Sequence, residues 1–127
     1  MNKETLLHDF KNALSQFEKA MSDPHESDLE KAGCIQYFEF CFELAWKTAK
    51  TAAEEMGIND CQSPRAALKC AFSQGWIDDE ALWLEMLACR NRMTHTYEAN
   101  SALLVYNKLG AFVPAFKDFY ARLCAIK

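Results

Sequence analysis

Glycine and proline are scarce, at four and three in a chain of 127 residues. So few places to turn point to a few long elements, most simply a helical bundle, and 127 residues fit one ordinary domain over 1–127. No uninterrupted apolar run approaches the roughly 20 residues that a spanning helix needs. The opening MNKETLLHDFKNALSQFEKA carries charges throughout, so it reads as neither a signal peptide nor an anchor. A cytoplasmic protein without membrane contact is expected. Closely spaced cysteines are missing too: Cys34, Cys41, Cys61, Cys70, Cys89 and Cys124 include no pair two or three residues apart. Zinc sites generally rely on such pairs, so these cysteines read as small hydrophobes in a reducing compartment, with no metal or cofactor called for. Positive charge is also short, with a net charge of −4. Proteins that wrap duplex nucleic acid through many phosphates are usually basic, so any action on nucleic acid must come from a small local site.

What is present is helical periodicity. Leu6, Leu7, Phe10, Ala13, Leu14, Phe17 and Met21 recur at steps of three and four, predicting a helix over 3–21. Pro24 stops it, and Ser27 with Glu30 forms a capping box that starts the next, over 28–56. That second helix, through CIQYFEFCFELAW, is apolar almost all the way round. A helix covered on one side needs only one stripe, so a second subunit is the expected cover, and Tyr37, Phe38, Phe40, Cys41 and Trp46 are assigned to a homodimer interface. A central position within a monomeric bundle is the alternative. Gly57 ends the helix, Ser63 and Pro64 start a short one to about Phe72, and Gly75 ends that. DDEALWLEMLACRNR predicts a fourth helix and residues 99–124 a fifth, with Pro114 expected to kink it. The fold class is all-α: an antiparallel four-helix up-and-down bundle with one short extra helix.

The junction between the last two long helices reads CRNRMTHTY. Arg90 offers a fixed charge and a planar fork of donors suited to phosphate, and His95 can give and take a proton near neutral pH. Metal-free RNA cleavage asks for little more: a base for the 2′-hydroxyl, an acid for the leaving 5′-oxygen and a cation between them. On an unbroken helix the two would stand about 140° apart, whereas Asn91 and His95 lie one turn apart. A bend near Met93 or Thr94 is needed to bring Arg90 and His95 of a single chain onto one phosphate. An Arg–His–Glu network tying helix ends together is the structural alternative. Lys47 and Lys50 are candidate secondary phosphate contacts, with a solvated polar face as theirs.

ELAWKTAK, then SPRAALKCAFSQGWI, then DDEALWLEMLACRNRMTHTY resemble, in order, the nucleotidyltransferase substrate-binding protein family of the HEPN superfamily, which includes the HepT-type toxins. The resemblance runs from about residue 28 to residue 120 and includes the short third helix. It implies a dimerising helical bundle and a minimal nucleotidyltransferase as partner. The Arg-x4-His-x-Tyr pattern of the toxins is matched by Arg90, His95 and Tyr97. The resemblance implies that Arg90 and His95 cleave RNA without metal and that Tyr97 accepts AMP from the partner, silencing the toxin. Asn91 fits the polar position after the Arg, where it would position substrate. Two functions follow as expectations: an endoribonuclease toxin neutralised by its nucleotidyltransferase, or the non-catalytic substrate-binding subunit of a two-component nucleotidyltransferase.

Overall fold

The computed structural model describes residues 2–92 and 99–126, which form five α-helices and no strand. These are α1 (Lys3–Met21), α2 (Asp28–Glu55), α3 (Pro64–Ser73), α4 (Glu80–Arg92) and α5 (Ala99–Cys124). Local chemistry sets most of the ends. Asn2, Ser27, Ser63 and Asp79 each turn a side-chain oxygen onto the backbone N–H three residues on, at 2.8, 3.1, 3.2 and 3.1 Å. Each bond satisfies a donor that the first helical turn leaves open. Asp79 therefore caps α4, which starts at Glu80, inside the acidic run expected to open it.

α2 and α3 finish in the same way. Gly57 and Gly75 take φ of 84° and 77°, a conformation that costs little without a Cβ. Ile58 N–H then reaches back to the Ala53 carbonyl at 2.9 Å, and Trp76 N–H to that of Ala71 at 2.8 Å. Both are Schellman ends, so the chain reverses on either side of α3 with the Ala53, Glu54, Ala71 and Phe72 carbonyls paired.

α1 runs against α2, and α4 against α5, in the up-and-down sense. Lys3 pairs with Glu55 and Glu18 with Lys117, while Lys31 lies over the Tyr106 ring. α2 and α5 thus run in the same direction and meet along the middle of the bundle. α2 contacts all four other helices, whereas α1 and α4 share no contact among the described residues. The core is aromatic. Phe116 of α5 meets Phe10 and Phe17 of α1, Phe38 of α2 and Trp83 of α4 at centroid distances of 6.1, 6.0, 6.2 and 5.3 Å. Most of these contacts are edge-on or tilted, which the ring quadrupoles favour. α5 continues through Pro114, whose ring cannot donate to the Gly110 carbonyl; both residues are exposed, so water can take that carbonyl.

This arrangement corrects part of the interface expectation. Phe38 and Cys41 are fully buried inside the chain, and burial pushes the Cys41 thiol up to about 12. They cannot meet a partner while the core is intact. The girdle around α2 is covered largely by the chain's own helices, because α2 is central. Phe40, 47% exposed, remains on the outside, with Tyr37 and Trp46 half-buried. Among the described residues no helix is long and apolar enough to cross a membrane.

Candidate functional site

The last turn of α4 carries Arg90, Asn91 and Arg92. At 100° per residue, Arg90 and Arg92 stand about 200° apart, on opposite flanks of the helix. Arg90 turns towards α2, where its Nε donates to Glu43 Oε1 at 2.8 Å. The other carboxylate oxygen is also held: Trp46 Nε1, one turn further along α2, donates to Glu43 Oε2 at 3.0 Å. A chain of two hydrogen bonds thus fixes the guanidinium from a neighbouring helix. The Arg90 and Glu43 side chains are 34% and 28% exposed, so water screens the pair and its contribution to stability is about 1 kcal/mol or less. Its larger effect is geometric. With Nε committed to Glu43, the two terminal nitrogens form the edge left to face a ligand, and Nη1 also donates to Asn91 Oδ1 at 3.3 Å.

Glu43 escaped the sequence reading, although one signal was available. It is the lone charged residue in FCFELAW, residues 40–46, and a carboxylate in an apolar run requires a partner. That partner lies 47 positions away, and no periodicity reveals it. The structure therefore supplies an Arg–Glu tie between α4 and α2. His95 and Tyr97 lie outside the described residues, so their placement relative to Arg90 stays an expectation.

Lys47 and Lys50 follow Glu43 by four and seven positions and so share its stripe on α2. Lys47 is exposed, with its ammonium 6.0 Å from the centre of the Trp46 ring; Lys50 is half-buried. The interface candidates that remain at the surface divide around this stripe. Phe40 is exposed one turn before Glu43, and Trp46 holds Glu43 itself. Tyr37 lies nearly two turns before Glu43 on α2, lining a groove of about 350 Å³ with His25 and the end of α1. Among the described residues, no three His, Cys, Asp or Glu side chains gather as a metal site would require.

Residues 5–125 match the profile of a family described as nucleotidyltransferase substrate binding protein like. The chain belongs to that family. A probable ribonuclease HepT of Haemophilus influenzae is 33% identical over 86 residues, 65% of this chain and 59% of that protein. The chain thus aligns with less than two thirds of that relative. Among solved structures, a protein of Thermus thermophilus superposes with a TM-score of 0.82 at 25% identity, over 90% of this chain and 98% of the other. A second, from Haemophilus influenzae, gives 0.71 at 25% identity over 96% of both chains. It is described as showing the fold of a substrate binding domain of a nucleotidyltransferase. The helical architecture is thus that of the substrate-binding family.

Proposed function

We propose that the protein is a cytoplasmic HEPN-type toxin, a metal-independent endoribonuclease that acts as a homodimer and is neutralised by a minimal nucleotidyltransferase. The observation that carries this reading is the Trp46–Glu43–Arg90 chain. It presents the Arg90 fork with its side edge already occupied, five residues before a histidine in the sequence. His95 takes the proton of a ribose 2′-hydroxyl, and the resulting oxygen attacks the adjacent phosphorus. The bond to the 5′-oxygen breaks, and that oxygen leaves with the proton handed back by the His95 imidazolium, now acting as the acid. The products are a 2′,3′-cyclic phosphate and a 5′-hydroxyl. Arg90 stabilises the charge that builds on the phosphoryl oxygens, and Asn91 aligns the strand. Phe40 and Trp46 contribute to the contact with the second copy, while Lys47 and Lys50 receive neighbouring phosphates.

Silencing runs through Tyr97. Its phenolic oxygen attacks the α-phosphorus of ATP, pyrophosphate leaves and the phenolic proton is released to solvent. The new phosphodiester sets an anion two residues from His95, where it competes with RNA for Arg90.

The Arg90–Glu43 pair also favours a second reading, since an arginine engaged by a carboxylate can serve as a helix tie. In that case the protein is the non-catalytic substrate-binding subunit of a two-component nucleotidyltransferase. RNA cleavage in EDTA separates the two, using wild type, His95→Ala, Arg90→Ala and Glu43→Gln. The toxin reading expects cyclic-phosphate products from wild type, a loss of at least about 100-fold for His95→Ala, and a smaller loss for Glu43→Gln. Intact RNA with all four proteins would leave the subunit reading.

A further inference from the structure

Arg90 occupies one flank of α4; the opposite flank carries a feature that the site described above does not use. There Arg92 and Lys108 converge, from the end of α4 and from α5, on a cleft completed by Ala88, Cys89, Leu104 and Val105. Cys89 and Val105 are buried and form an apolar floor. Burial pushes the Cys89 thiol up, and Lys108 and Arg92 both act against that shift, as cations facing the same sulfur do. Among the described residues Arg92 makes no ion pair. The carboxylate paired with Lys108 is Glu85, at the outer limit of 4.0 Å. In a chain of net charge −4, two such cations on one cleft mark a local reversal of sign.

We propose that Arg92 and Lys108 hold a backbone phosphate of single-stranded RNA in this cleft, a few nucleotides along the strand from the phosphate at Arg90. This rests on the ribonuclease reading. Three observations select the ligand. The cleft has a volume of about 30 Å³, room for a water-sized group such as one phosphoryl oxygen and too little for a base. Its rim is cationic, and its floor is apolar and donates little. It also adjoins the junction: Arg92 is three residues from His95, a span of at most about 11 Å between Cα atoms. Because Arg90 and Arg92 face opposite ways, a strand touching both must pass over the C-terminal end of α4. A single strand bends that sharply more easily than a duplex.

The test uses a fluorescein-labelled single-stranded RNA of about 20 nucleotides with 2′-O-methyl riboses, which cannot be cleaved. Anisotropy gives its Kd across a range of NaCl, where each phosphate contact contributes about 0.7 to the slope of log K against log salt. Arg92→Ala and Lys108→Ala are each expected to weaken binding, and the double variant, which loses the one phosphate the two cations share, to lower that slope by about 0.7. Lys108→Arg should keep it, and Glu85→Gln should tighten binding. A wild-type slope in the double variant overturns the proposal, as does wild-type protein that fails to bind the RNA. Displacement of the RNA by ATP from wild type but not from the double variant also overturns it, by assigning the cleft to a free triphosphate. Cleavage of unmodified RNA in EDTA is run on the same proteins. Cleavage with unchanged slopes defeats this inference alone; changed slopes without cleavage defeat the ribonuclease reading alone.

Discussion

Up to its midpoint α2 buries Ile35, Phe38 and Phe42, with Phe38 packed among rings from α1 and α5, whereas the rest of it buries Ala45, Ala49, Ala52 and Ala53. Large side chains hold their neighbours at a distance set by ring size and fill the wide middle of the bundle. Small ones suit close neighbours, and the helix beside the second half, α3, likewise buries Ala67, Leu68 and Ala71. Thr48 fits within this small-residue half because its hydroxyl donates to the Leu44 carbonyl at 2.6 Å, and no buried side-chain nitrogen or oxygen is left unpaired among the described residues. Glu43 sits where the two regimes meet. The change from rings to methyl groups coincides with the place where Arg90 crosses from α4. One helix thus serves as core, as spacer and as the support of a polar site.

The contrast can be broken from either end. Phe38→Ala removes a ring that contacts Phe17, Phe112 and Phe116, and should cost about 3–5 kcal/mol in urea unfolding. Ala52→Leu adds volume where the side chain is 1% exposed, and should cost about 1–3 kcal/mol in the same assay. If Ala52→Leu is neutral, the second half is looser than its burial implies, and the contrast between the halves fails.

The smallest effect lies before the first turn of α2, where the connection from α1 is pinned by a histidine. His25 Nε2 meets the Ala20 carbonyl, and Nδ1 lies 3.2 Å from Glu30 Oε2. Both partners are acceptors, so only the doubly protonated ring donates to both. The bond to Ala20 and then that to Glu30 raise the His25 pKa above its ordinary 6.5. The sign follows from that direction: this stabilisation is complete below the unfolded value and is lost as pH rises through the folded one. The Tm difference between wild type and His25→Gln should be larger near about pH 5.5 than near about pH 8.5. An equal difference at both would mean that the imidazole acts through packing alone.

Much of this architecture is readable from spacing and caps. The expected bounds of α1 and α5 agree with the structure, and α2 and α3 differ by one residue, because Asn, Ser, Pro and Gly act on their immediate neighbours. The acidic run before α4 has the composition of a first helical turn, but one of its members, Asp79, caps the helix instead. Less legible was which faces of α2 are covered by which neighbours. A helix apolar all round gives no phase, so Phe38 and Cys41 looked as available to a partner as Phe40 does. The candidate site was half visible. Arg90 and Asn91 stood out by residue type, but Glu43 depends on a crossing between α2 and α4 that only the folded chain defines.

Trp46 has a consequence beyond support. Of the three tryptophans, Trp76 and Trp83 are 6% and 2% exposed, while Trp46 is half-buried with its indole N–H on Glu43. Whatever draws Arg90 away from Glu43 also alters the surroundings of that indole, against two emitters shielded from solvent. The unlabelled chain thus carries an optical reporter wired to its own arginine.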